Sequence, residues 1–188
     1  MTDLASLWLP ILLSAVFVFI ASSVIHMALP LHKNDYRRLP DDDLVRDALR
    51  KAGVGPGQYM FPGCESMKDM GTPEMQAKYA QGPVGVLVVR PNGMPAMGKA
   101  LGQWFAFCLV VGVFTAYLTG LAVAPGAAYG HVFRVAGTVA LLGFAFSSVT
   151  DSIWKGVSWT TTGKFVFDGV VYALVTGGTF GWLWPTAA

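Results

Sequence analysis

Four long, mostly apolar runs constrain the fold of this chain more than any other feature of its sequence. They cover residues 7–29, 101–123, 131–149 and 165–184. Each is close to the roughly 20 residues that a helix needs to cross the hydrocarbon core of a bilayer. Only 13% of the 188 residues are charged, against about 25% in a typical soluble domain. The sequence therefore predicts an all-α transmembrane protein, folded as a four-helix membrane bundle.

The first run is predicted to be a retained helix rather than a cleaved signal peptide. A secretory signal begins with a positively charged stretch and has an apolar run of about 7–15 residues. Residues 1–7 contain Asp3 but no Lys or Arg, and the apolar run that follows is longer than a signal requires. We therefore count it as the first transmembrane helix.

Most of the charge lies in one polar segment between the first and second runs, over residues 31–99. This insert holds ten of the 13 Lys and Arg residues and eight of the 11 Asp and Glu residues. Basic residues beside spanning helices mark the cytoplasmic side of a membrane. The insert is therefore predicted to be cytoplasmic, with both termini on the opposite side.

The insert has the patterns of a small α+β unit rather than those of a free linker. Asp41 is a predicted N-cap for a helix over 42–51, with Asp42 and Asp43 in its first turn. Thr72 and Pro73 are typical of a second helix start. The two strand-like segments are GPGQYMF, 55–61, and VGVLVVR, 84–90.

Small residues recur at every fourth position along the second and fourth runs. In the second run this stripe starts at Cys108. Helices in lipid associate through close backbone approach, which such stripes permit. We expect the second and fourth helices to cross closely, or one stripe to receive a membrane-protein partner or a second copy of the chain. The stripe residues are Gly112, Ala116 and Gly120 in the second run and Gly169, Ala173, Gly177 and Gly181 in the fourth.

Three ionisable residues are predicted to lie at a similar depth near the cytoplasmic face: His26, Asp151 and Asp168. Ionisable groups within membrane segments are costly and often functional. These three are a candidate polar cluster that moves a proton, binds a cation or holds a polar headgroup. The alternative is that they are interfacial groups that reach water or bond to nearby hydroxyl groups.

The remaining ionisable pair in the spans, His131 and Arg134, is placed on the outer side. It is expected to contact lipid phosphates as an interface anchor, or else to form an anion site. His26 and His131 lie at opposite faces, and no two histidines are expected at one depth within the membrane. The sequence therefore predicts no haem held by two histidines. It contains no motif for another cofactor or for a dedicated metal site, so none is predicted.

Catalytic patterns are absent from the sequence, which has no nucleophile elbow, phosphate loop or HExxH motif. The methionine-rich insert sequence around Cys64 has a soft-ligand spacing that could suit Cu(I). Because Met also fills adaptable packing surfaces, we expect packing or docking there instead. A net charge of +2 gives no basis for nucleic-acid binding.

Three segments, IHMALPLHKNDYRRLPDDD, GPGQYMFP and FDGVVYALVTGGTFGWLWP, resemble an uncharacterised family of small bacterial integral membrane proteins. The resemblance covers most of the chain. It implies a bacterial inner membrane, with the lipid bilayer as the surrounding partner. In such a membrane, the termini that the charge pattern places opposite the cytoplasm are periplasmic. It brings no activity, substrate or ligand.

Two functions are expected from these features. The first is a non-enzymatic accessory or scaffold subunit of a membrane complex, which packs through its glycine stripes and insert. The alternative is a small oligomeric transporter or proton-coupled permease that uses His26 and Asp168. An inner-leaflet enzyme is a third class, for which His26 and Asp168 are the only candidate site.

Overall fold

The computed structural model describes residues 2–187 and contains seven α-helices and one two-stranded sheet within them. Four helical segments are long and apolar enough to cross a membrane. The structure is therefore mostly helical and consistent with the predicted all-α bundle, with four candidate spans and a small sheet in the segment between the first two. The candidate spans are Ala5–Ala28, Met97–Ala122, Tyr129–Lys155 and Trp159–Trp182.

The described chain divides into two compact units. The membrane unit contains residues 2–35, 96–153 and 157–187, and the insert unit contains 36–95 with 154–156. Residues 31–35, which sequence reasoning assigned to the insert, thus belong to the membrane unit. This difference matters because the five residues carry two side chains of the site described below.

The first two spans differ in how regular they are. The first consists of a 3₁₀ turn at Ala5–Leu7, helix α1 (Trp8–Ser23) and a π-helical turn at Val24–Ala28. The second is one continuous helix, α4 (Met97–Ala122). The irregular end of the first span is where the site begins.

The last two spans also depart from the predicted boundaries. The third is α5 (Tyr129–Phe144), a 3₁₀ turn at Phe146–Ser148 and α6 (Val149–Lys155). The fourth, α7 (Trp159–Trp182), begins six residues before the predicted start at 165. The Ser158 hydroxyl caps α7 by accepting a hydrogen bond from the Thr161 backbone N–H at 3.3 Å. Lys164 is therefore helical rather than part of a loop.

The two small-residue stripes are filled from within the chain. A Cβ added at Gly169 would lie 2.6 Å from Ala145 Cα, and one at Gly177 would lie 2.9 Å from the Phe133 carbonyl oxygen. On α4, a Cβ at Gly112 would meet Ile11 at 3.3 Å. The stripe of α7 thus packs against the third span, and that of α4 against the first, rather than the two stripes against each other.

The insert unit contains two short helices, α2 (Asp42–Lys51) and α3 (Pro73–Gln81), and an antiparallel strand pair. The Asp41 side chain accepts from the Leu44 N–H at 2.9 Å, and the Thr72 hydroxyl accepts from the Met75 N–H at 3.3 Å. Both predicted N-caps are therefore present. Strands β1 (Gly57–Phe61) and β2 (Gly85–Val89) pair with Gly57 opposite Val89 and Phe61 opposite Gly85.

Candidate functional site

A chain reversal after the first span brings two histidines together. His26 lies in the π-helical turn, a local widening that is frequent at functional sites. Leu29 is extended, as expected for a residue before proline, and the 3₁₀ turn Pro30–His32 then carries the chain back. The rings of His26 and His32 stack with their centroids 4.2 Å apart.

Asp168 of α7 meets both histidines. Its Oδ2 lies 3.4 Å from His26 Nε2 and 2.9 Å from His32 Nε2. The Asp168 side chain is only 3% exposed, whereas that of His26 is 39% exposed. Three potential ligand atoms, one from each residue, lie within 4.8 Å of one another. We call these three residues the His–Asp cluster.

A partly buried ion pair, Asp35 with Lys164, lies behind the His–Asp cluster. Asp35 Oδ2 lies 2.6 Å from His32 Nδ1, and Asp35 Oδ1 accepts a hydrogen bond from Lys164 Nζ at 2.6 Å. Burial alone would raise the pKa of Asp35, but the hydrogen bonds from Lys164 and His32 outweigh it and lower that pKa. Asp35 is therefore a carboxylate, and it orients the His32 ring by accepting from Nδ1–H.

A cavity of about 710 Å³ lies beside the cluster, among the four spans of the membrane unit. His26 and Asp168 are part of its lining, and one turn along α7 the Tyr172 hydroxyl is buried with no hydrogen-bond partner among the described residues. The Trp104 indole N–H donates to the Ser22 hydroxyl at 2.9 Å in the same lining. The other side chains are mostly apolar or aromatic: Met27, Met97, Leu101, Phe107, Phe144 and Phe165.

The residues predicted from the sequence are thus only partly brought together. His26 and Asp168 meet, while Asp151 lies in the first turn of α6 and outside the cluster. His131 and Arg134 are exposed near the start of α5, where Arg134 Nε donates to the Gly130 carbonyl oxygen at 3.0 Å. That contact uses only the Nε–H of the guanidinium, so the contact of this pair with lipid phosphates or another anion stays a prediction.

Sequence reasoning missed His32, Asp35 and Lys164. The expectation that no two histidines share a depth is wrong for His26 and His32, because the chain folds back instead of leaving the membrane unit at Leu29. The sequence Leu29–Pro30 signals a break in the helix, but it does not give the direction of the chain afterwards. Lys164 was missed because the fourth span was predicted to begin at 165. Since α7 begins at Trp159, Lys164 lies on the same helix as Asp168.

Within the described residues, the His–Asp cluster is the single group of three or more His, Cys, Asp and Glu side chains with metal-ligand spacing. Cys64 belongs to no such group, and Cys108 is buried in the helix packing. No protein-family model, curated protein or solved structure matches the chain. The chemistry of the cavity and the cluster is therefore the basis for a function.

Proposed function

We propose that this protein is a multi-pass membrane protein that binds an amphipathic, lipid-like molecule in the cavity beside the His–Asp cluster. The observation that carries the proposal is the cavity itself. It combines an apolar and aromatic wall with buried polar groups, Asp168 and Tyr172, that make no side-chain hydrogen bond among the described residues. Its volume of about 710 Å³ falls within the range of about 300–1,000 Å³ that is usual for small-molecule sites.

The lining predicts which part of the molecule lies where. Asp168 and His26 offer hydrogen-bonding and charged groups on the side of the π-helical turn. The Tyr172 hydroxyl gains a partner only if a ligand or water supplies one, since a buried polar group without one is costly. Apolar chains suit the wall of Leu101, Phe107 and Phe144. A molecule with its polar head at the cluster and its apolar tail along the aromatic wall therefore suits both the polar groups and the apolar wall of the cavity.

The accessory-subunit function expected from the sequence is retained in a narrower form. The glycine stripes are occupied by neighbouring spans of the same chain, so they do not argue for a partner. An accessory subunit that holds an amphipathic molecule for a larger complex fits the cavity without requiring a free stripe.

The transporter alternative also uses His26 and Asp168, but it requires a passage through the membrane unit. In the other half of the bundle Leu7, Val132 and Phe180 are fully buried in an apolar core. That packing favours a binding site over a passage. Protein-dependent movement of an amphipathic molecule between the leaflets of reconstituted vesicles would support the transporter instead.

We further propose a bacterial inner-membrane location, with a cytoplasmic insert and periplasmic termini. The location is supported by the resemblance described above. The orientation is supported by the concentration of Lys and Arg beside the ends of the first and second spans. Labelling of Cys64 in the insert with a membrane-impermeant thiol reagent measures this orientation. Reaction only after permeabilisation of spheroplasts is expected, and reaction in intact spheroplasts would reverse the orientation.

The binding function is tested by filling the cavity. Leu101 lines it and lies on α4, so Leu101→Trp should displace the molecule by occupying its volume. We expect the wild-type protein, purified from its native membrane in a mild detergent, to carry about one amphipathic molecule of a defined class. Mass spectrometry of the extracted lipid should show at least a several-fold lower content in Leu101→Trp.

A matched control is Val113→Trp on the same helix. Val113 and Leu101 are each 41% exposed, but Val113 is not part of the cavity lining. The amount of bound lipid extracted from Val113→Trp should equal the amount extracted from the wild type. Equal losses in both variants, or a wild-type protein that carries only a sample of the bulk lipid, would remove the proposal.

A further inference from the structure

We propose that His26, His32 and Asp168 bind a divalent transition-metal ion of the kind that imidazole and carboxylate ligands favour, such as Zn²⁺ or Fe²⁺, with one coordination position facing the cavity. Such ions bind nitrogen and oxygen ligands at about 2.0–2.2 Å, so two ligand atoms on one ion lie about 3–3.5 Å apart. The distances from Asp168 Oδ2 to His26 Nε2 and His32 Nε2 are 3.4 and 2.9 Å.

The buried polar atoms of the cluster supply an independent observation. Asp168 Oδ1 and Oδ2 and His32 Nε2 are all buried without a hydrogen bond among the described residues. His32 Nε2 and Asp168 Oδ2 are 2.9 Å apart, yet they lack the alignment of a hydrogen bond. Buried groups of this kind are costly unless they are paired or coordinate a metal. A cation shared by the lone pairs of both groups removes that cost.

Asp35 prepares His32 for this role. The Asp35 carboxylate lies 2.6 Å from Nδ1 of His32, which places the ring proton on Nδ1 and leaves the lone pair of Nε2 directed at the cluster. Metal-bound histidines commonly donate their other N–H to a carboxylate in this way, which fixes the ring and raises its basicity. Lys164, bonded to Asp35 at 2.6 Å, keeps that carboxylate charged and in place.

The ligand set also indicates which class of site this is. Three protein ligands that leave a position open are typical of reactive zinc sites, whereas structural sites are usually closed by four. Two histidines and one carboxylate with open positions also suit Fe²⁺. Because His26 and Asp168 are in the cavity lining, the open position faces the space where a bound molecule would lie.

The alternative for the same geometry is a protonated His32 that bridges Asp35 and Asp168 with no metal. The two arrangements differ in metal affinity, and this difference is measurable without any amphipathic molecule. Metal binding can therefore be present or absent independently of the proposed binding of an amphipathic molecule.

The test is a titration of the full-length protein in detergent, without a polyhistidine tag, with Co²⁺ followed by competition with Zn²⁺. We expect one Co²⁺ per protein, with the visible absorption of an ion bound by nitrogen and oxygen ligands, and its displacement by Zn²⁺. His32→Ala should lower the affinity by more than about 100-fold. Asp35→Asn, which keeps all three ligands, should lower it by about 10–100-fold, as for other changes behind a metal ligand.

His131→Ala is the matched control, because His131 is exposed on α5 and outside the cluster. Its Co²⁺ affinity and spectrum should equal those of the wild type. The wild-type titration alone can contradict the metal site, even if the variants fold poorly. A wild-type protein that binds no Co²⁺, or binds it with an affinity that His131→Ala lowers as much as His32→Ala, would overturn the metal site.

Discussion

Replacing Gly169 with alanine should destabilise the membrane unit by about 3 kcal/mol, at the upper end of the usual cost of overpacking. The added Cβ would lie 2.6 Å from both Cα and Cβ of Ala145 and 2.8 Å from its backbone nitrogen. These are atoms of the main chain, or attached directly to it, and no side-chain rotation can move them away. The helices must separate, and the contact between α7 and the C-terminal end of α5 is lost.

Gly163→Ala provides the comparison on the same helix. A Cβ at Gly163 meets no atom within 4 Å, and alanine is favoured over glycine in a helix by about 1 kcal/mol. This variant should therefore match or exceed the wild-type stability. Unfolding of purified protein in SDS, followed by Trp fluorescence, measures both. Similar stabilities for the two variants would mean that α7 does not approach Ala145 closely.

Replacing Lys164 with methionine is expected to cost about 3 kcal/mol of folding free energy. The Asp35 side chain is 4% exposed and that of Lys164 is 22% exposed, so their separation leaves a buried carboxylate without its countercharge. Removing one partner of a buried ion pair costs about 3–5 kcal/mol, and the partial exposure of Lys164 favours the lower end. Loss of this contact should also loosen the position of His32.

The double variant Lys164→Met/Asp35→Asn separates the charge effect from a loss of packing. With the carboxylate neutralised, it should be more stable than Lys164→Met alone. Lys99→Met, at an exposed position in the first turn of α4, should change the stability by no more than about 0.5 kcal/mol. If the double variant were as unstable as the single one, the cost would not come from an unpaired Asp35.

The bundle could be predicted from the sequence because the length and hydrophobicity of each span are evident from its own apolar run. The N-caps Asp41 and Thr72 likewise depend on residues within one helical turn. Helix partners are harder to predict. The spacing of Gly169 and Gly177 indicates a close approach, but it does not say whether α4 or α5 fills the groove.

Part of the candidate site could also be predicted, because some of its features depend only on the local sequence of one span. His26 and Asp168 could be placed at one depth, since depth follows from position along a span. Their contact with His32 depends on the π-helical turn and on the direction that the chain takes after Leu29–Pro30. The local sequence signals the break there but not that direction. Asp35 and Lys164 are 129 residues apart, and no local pattern pairs them.

The central claim is that the cavity of the membrane unit holds an amphipathic molecule. Photo-crosslinking tests it most directly, with benzoylphenylalanine placed at Phe107 in the cavity lining or at Phe114, which is exposed on the same helix and outside that lining. Irradiation in native membranes should give one class of adduct at Phe107 and a mixture of bulk lipids at Phe114. The same lipid mixture at both positions would contradict the claim.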